Sequence, residues 1–304
     1  MPSPIPLAQT NTAVTTATAY SVVVVDTDIG YDTDDIVALA VAARVVPNLV
    51  VPNLVVVTTD EVGTSRARLS RRYLDALDRT DVPVLAGCDL GSDQFLLQDR
   101  IHATRLPRTE SLEHILRDRT DPDGLILWVG LGPLSNLAQL ARTAPDLTDR
   151  ICLVQMGGWL DTYRDPTRAS HNLHTDQPAA GLALRILAHP PRLILSEHTN
   201  HPTLAVGPES IIYQKLCAAS APEWAQLAAA NLTAWFTRRP ASWMQDPVTL
   251  AAALGHPLVA FTTERLHISA DARLRRHPTG RTTHVSAHID HNAALTWIAD
   301  HLHW

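Results

Sequence analysis

Five aspartates fall within ten residues of this chain: Asp26, Asp28, Asp32, Asp34 and Asp35. Carboxylates this close repel one another unless a cation lies among them. A hard divalent cation takes oxygen ligands, and Ca²⁺ accepts several carboxylates in loose geometry. Capping a helix needs one or two acids. Five in one turn therefore point to a metal-binding site.

The flanking residues say how such a cluster would be positioned. Val22–Val25 are four consecutive β-branched residues, the pattern of a buried strand. Gly30 marks a turn, and Ile36–Val41 is an apolar run that reads as a helix. Asp34 and Asp35 then fall in the first helical turn, where the helix dipole favours negative charge. The unit repeats downstream. Strands are expected at 54–58, 125–129, 151–156 and 192–196, each followed by a turn and a helical segment. Such alternation predicts an α/β fold with a doubly wound, mostly parallel sheet, a Rossmann-like core with added C-terminal helices. Polar or glycine-rich turns recur after the strands at 22–25, 54–58, 125–129 and 151–156, as one shared crevice requires. Residues 258–289 alternate polar and apolar and suggest edge strands, and 293–301 a closing helix. Residues 1–21, rich in Thr, Ala and Pro, read as a loose tail, and 22–304 as a single domain. The tandem copy of Val-Pro-Asn-Leu-Val at 46–55 reads as a lengthened loop.

Composition narrows the function classes. The formal net charge is −6, with no long basic run, which argues against nucleic acid as a partner. No apolar stretch approaches the roughly 20 residues that span a bilayer. Cys88, Cys152 and Cys217 are far apart and in apolar contexts, so reduced core cysteines and a cytoplasmic location are expected. No histidine pair has zinc spacing on a helix.

Taken in order, these motifs resemble the inosine–uridine-preferring nucleoside hydrolase family from about Val22 onward. Asp26-Thr27-Asp28-Ile29-Gly30 with Asp34-Asp35 matches the family's first signature, in a turn two residues longer than its commonest form. Gly132-Pro133-Leu134-Ser135-Asn136 is similar to the second, Met156-Gly157-Gly158 to the third, and Asp246-Pro247 to the last. The resemblance implies hydrolysis of an N-ribosidic bond of a small nucleoside or nucleotide by a protein that is often a homo-dimer or tetramer. It implies Ca²⁺ held by Asp28, Asp35, Asp246 and the carbonyl of Leu131. Asp28 would be the general base, and Asp34 and Asn172 would hold the sugar hydroxyls. The longer turn leaves Asp32 as the alternative to Asp34 in that role, with Asp34 favoured.

The chain departs from the family pattern at three places. Gln245 stands where a histidine usually protonates the leaving base, and an amide only hydrogen-bonds. Trp159, Trp235 and Trp243 lie in segments that suit stacking on the base, and His171 or His174 is a candidate substitute acid. Arg164 and Ser170 stand where the family has asparagine and glutamate near the ribose 5′ end. Arginine suits phosphate, so a 5′-phosphorylated or otherwise acidic substrate enters the reading. Thr64 replaces an asparagine after Val62-Gly63. Two other classes compete. One is a phosphohydrolase of the haloacid dehalogenase type, disfavoured by Gly30 and by a sole lysine, Lys215, outside any strand-end turn. The other is a catalytically weak or inactive ribose-binding protein on the same fold, which Gln245 and Ser170 would suit.

Overall fold

The computed structural model describes residues 20–46, 54–101, 104 and 110–304. The N-terminal tail, most of the tandem repeat and part of the 89–109 loop lie outside the described residues.

The chain is built on a nine-stranded sheet in the order β10-β9-β11-β6-β5-β4-β1-β2-β3. Six strands form its parallel heart: β1 (Val22–Thr27), β2 (Leu54–Thr58), β3 (Val84–Ala86), β4 (Ile126–Gly130), β5 (Ile151–Met156) and β6 (Arg192–Ile194). The run of valines in β1 is buried on both faces because helices cover both. Val23 and Val25 join one core, Val22 and Val24 the other. The first core takes in helices α1 (Asp34–Val45), α2 (Ser65–Ala76), α10 (Glu223–Phe236), α11 (Gln245–Ala253) and α12 (His291–Asp300). The second takes in α3 (Leu112–Arg119), α4 (Ser135–Thr143) and α7 (Gln177–Ile186). Helix α1 is buried from Asp34 to Ala43, as its lack of a polar face requires.

The stretch 258–289, expected as edge strands, forms strands at one end of the sheet. Strands β9 (Val259–Ile268), β10 (Leu274–Arg276) and β11 (Arg281–Ile289) join the main sheet, β11 parallel to β6 and antiparallel to β9. A separate ribbon pairs β7 (Ala205–Val206) with β8 (Ser242–Trp243). The three cysteines are free, but Cys88 and Cys152 are only half-buried and Cys217 is exposed, so none is the core residue its apolar context suggested.

Strand order reverses between β1 and β4. From β1 the chain builds outward to β2 and β3, then returns and builds the other way through β4, β5 and β6. In open α/β sheets the crevice at this reversal, outside the carboxyl ends of the strands, binds ligands. Asp28, Asp32, Asp34 and Asp35 lie there.

Candidate active site

A cavity of about 470 Å³ opens above the carboxyl ends of β1, β2, β4 and β5. Its floor is acidic, lined by Asp28, Asp32, Asp34, Asp35, Asp60 and Asp246. The turn after β1 delivers four of these. Gly30, at φ 102°, makes that turn possible; a Cβ there would lie 2.4 Å from the Phe95 ring. Helix α11 begins at the floor and brings Asp246 to α1. The backbone N–H of Asp246 donates to Asp34 Oδ2 at 3.2 Å. Carboxylate oxygens of Asp34, Asp35 and Asp246 all lie within 4.8 Å of one another, and all three residues are buried.

The electrostatics follow from that burial. Desolvation, then repulsion from Asp32 and Asp35, pushes the Asp34 carboxyl well above the usual range. Desolvation and Asp28 do the same to Asp35, against the hydrogen bond from Thr27. Desolvation, Asp34 and Asp35 raise Asp246. Only oxygen donors converge here, from carboxylates whose charges are mutually destabilising, and this donor set fits a hard divalent cation.

The β4 end supplies the opposite wall. Leu131 lines the cavity, and its carbonyl accepts a hydrogen bond from Asn172 Nδ2, which also donates to the Met156 carbonyl at 3.2 Å. Gly132 is required here by close approach: a Cβ would lie 2.9 Å from Asp28 Oδ1.

The chain belongs to the inosine–uridine-preferring nucleoside hydrolase family. The family model matches residues 23–302. Solved structures of similar fold include a plant nucleoside hydrolase, 17% identical, with 92% of this chain and 98% of that chain covered and a TM-score of 0.73. The inosine–uridine-preferring hydrolase of Bacillus anthracis is 19% identical over 92% of this chain and 98% of its own, with a TM-score of 0.71. A purine-preferring ribonucleoside hydrolase of Gardnerella vaginalis is 19% identical over 92% and 97%, with a TM-score of 0.73. No curated protein matches at the level of sequence. Membership makes the chain an N-ribosyl hydrolase by class, as the motifs implied, and the parallel sheet with helices on both sides is the fold these structures share.

Within this hydrolase fold the expected site residues are distributed unevenly. Asp28, Asp32, Asp34, Asp35, Leu131, Asn172, Gln245 and Asp246 all line the cavity. Asp32 is already engaged: its Oδ1 accepts from Ser242 Oγ at 2.6 Å and from Thr33 N at 2.7 Å. Arg164 and Ser170 line an adjoining cavity, and Ser170 Oγ accepts from the backbone N–H of Gly158 at 2.7 Å. Of the three tryptophans, Trp235 lines the main cavity and Trp159 the adjoining one. Trp243, in β8, packs against the first core instead. His171 lines both cavities, whereas His174 bonds Gln177. Thr64 is exposed at the start of α2; the neighbouring contributors to the cavity are Asp60 and Arg66.

Sequence reasoning missed Arg66. This residue is 1% exposed, and its guanidinium donates to the carbonyls of Asp60, Asp28, Ile29 and Gln94. It thereby binds the turns after β1 and β2 together beside the acids. Glu61 completes the brace by accepting from the N–H groups of Arg66 and Ala67 at the start of α2. Asp60 is left with a left-handed backbone, φ 50°, and its carboxylate toward the cavity. The signal was an arginine in the first turn of a helix that follows a strand-end acid pair, a pattern too common to single out.

Proposed function

We propose that this chain hydrolyses the N-ribosidic bond of a nucleoside in a Ca²⁺-dependent reaction, giving free base and ribose. The observation that carries this reading is the buried cluster of Asp34, Asp35 and Asp246 facing Asp28 and the Leu131 carbonyl across one cavity. Asp28, Asp35, Asp246 and the Leu131 carbonyl would hold the ion. When bound, Ca²⁺ would polarise a water and grip the sugar's 2′ and 3′ hydroxyls.

The protein's own groups supply the remaining steps. Asp28 takes a proton from the water that attacks C1′. The ring of carboxylates stabilises the positive charge that develops on the sugar. Asn172 fixes the sugar. Asp34 shares that task, since one of its oxygens already accepts from Asp246 N while Asp32 is tied to Ser242. At the leaving-base end Gln245 offers an amide that hydrogen-bonds without delivering a proton. His171 lines the same cavity, and its imidazole is a group able to donate a proton to the leaving base. Trp235 presents a ring near the base, held by Nε1 donating to the Ala241 carbonyl at 2.9 Å.

The direct test is release of free base from a panel of nucleosides, with Ca²⁺ and with chelator. Chelator-sensitive release is expected. Calcium-dependent ribose binding without release from any member would replace this reading with the ribose-binding one, for which the amide at position 245 is the motivating observation.

A further inference from the structure

Beside the acidic floor, a second cavity of about 490 Å³ shares Arg168, His171, Ser196, Arg239 and Gln245 with the first. The two therefore adjoin along a shared wall. Their charges are opposite. The annex carries Arg164, Arg168 and Arg239 against a single carboxylate, Asp165. Arg164 and Arg168 come from the loop after β5, and Arg239 from the turn between α10 and β8. Two segments distant in sequence thus converge positive charge on one place.

The arginines are not spent elsewhere. Among the described residues, Arg66, Arg71, Arg72, Arg79, Arg100, Arg117, Arg273 and Arg276 form ion pairs. The guanidiniums of Arg164, Arg168 and Arg239 donate to no group of the protein among those residues. Asp165 is occupied, accepting from the N–H and hydroxyl of Thr167, and makes no ion pair with its arginine neighbours. The annex as a whole is also larger than a sugar hydroxymethyl group needs.

We propose that this annex is a phosphate subsite, with Arg168 and Arg239 as its principal donors and Arg164 at its outer edge, so that the substrate is a nucleoside 5′-monophosphate. This rests on the N-ribosyl hydrolase reading for the sugar end only. A nucleotide is itself bipolar. Its ribose becomes positively charged as the glycosidic bond breaks, and its phosphate is a dianion. The cleft is bipolar in the matching sense, negative where the sugar ring sits and positive one cavity away. Arginine forks suit the phosphate oxygens. The reaction remains hydrolysis: water adds to C1′, the base leaves with a proton, and the phosphate ester is untouched.

The test compares kcat/KM for a nucleoside 5′-monophosphate with that for the parent nucleoside, in the full-length protein and in Arg168→Ala/Arg239→Ala. The wild-type ratio should favour the monophosphate by about tenfold or more, and the double variant should erase that preference. Arg168→Lys/Arg239→Lys should restore part of it. A wild-type ratio of one or less with nucleoside hydrolysis intact would overturn the proposal, as would a ratio the double variant leaves unmoved. Preference for an acidic base over an acidic sugar would overturn it too. Calorimetry with ribose 5-phosphate and with ribose separates the two readings. If nothing is hydrolysed but ribose 5-phosphate binds at least tenfold tighter than ribose, and the double variant loses that margin, the subsite stands and the hydrolase reading falls.

Discussion

Asn136 Nδ2 lies 2.8 Å from Asp26 Oδ1, so the two signature turns of this chain, 110 residues apart in sequence, are joined by one buried hydrogen bond. Asn136 also donates to the Thr58 carbonyl at 3.0 Å and accepts from the Cys88 N–H at 2.8 Å. One amide thus connects the ends of β1 and β2 with the residues that follow β3 and β4. Asp26 is 1% exposed, and burial raises its carboxyl well above the usual range despite this bond. It does not line the cavity. The first aspartate of the motif supports the turn, and those after it line the cavity.

Replacing Asn136 by Ala should therefore cost stability first. It removes the Asn136 bonds to the buried Asp26 carboxyl and the Cys88 N–H, while the Thr58 carbonyl keeps the N–H of Gly87. An unsatisfied buried group costs about 1–3 kcal/mol, so a loss of about 3 kcal/mol is expected in urea denaturation. A loss below about 1 kcal/mol would show that water or a neighbour takes over the amide's bonds.

Asp28→Ala should separate chemistry from fold. The element-locking contact at this position is the backbone carbonyl that accepts from Arg66, and the substitution keeps it. Base release should fall by roughly 10²–10⁴-fold, while the thermal melting temperature stays within a few degrees. Turnover at the wild-type rate would remove Asp28 from the base role.

Calcium should stabilise the protein, and more so as pH rises. In the cation-free protein the folded pKa values of Asp34, Asp35 and Asp246 lie above their unfolded values. Groups shifted upward contribute most below the ordinary carboxylate range, near pH 4, and that contribution is lost as pH rises through the folded values. A bound cation relieves the repulsion that appears there. At about one hundred times its dissociation constant it should add about 2.7 kcal/mol, or about 5 °C in melting temperature. The increment should shrink on acidification, because protonated carboxyls do not ligate. A calcium effect that is absent, or equal at pH 4.5 and pH 7.5, would contradict the cluster as the binding site.

His171→Gln should reveal whether a proton donor serves the leaving base. Hydrolysis of ordinary nucleosides should drop by about 10²-fold. A riboside with a nitrophenolate leaving group, which needs no proton, should be cleaved nearly as well as before. Equal losses on both substrates would reassign His171 to binding.

The parts of this protein that could be read from sequence are those written in local pattern. The valines of β1, the glycine of its turn and the acids on α1 are adjacent in the chain, and each constrains its neighbours. Asp246 and Asn172 were found because short motifs marked them. The guanidinium clamp of Arg66 and the arrival of Arg239 at the cleft have no such mark. They depend on where distant segments meet, which is set by packing of whole helices. Trp243 shows the converse. It lies three residues before Asp246, yet its strand pairing with Ala205 takes it to the core while Trp235, on α10, reaches the cavity.

The contrast between Arg66 and the three annex arginines has an evolutionary consequence. The floor of the cleft is cross-braced: Arg66, Asp32 and Asp34 hold hydrogen bonds that the fold itself uses. At the mouth, the side chains of Arg164, Arg168 and Arg239 bear no such duty. Mutations there cost the fold little, so selection can exchange one group for another at the far end of the ligand while the bond-breaking apparatus is inherited intact. New specificities in descendants of this chain should accumulate at positions 164, 168 and 239, with the aspartate turn as the invariant part.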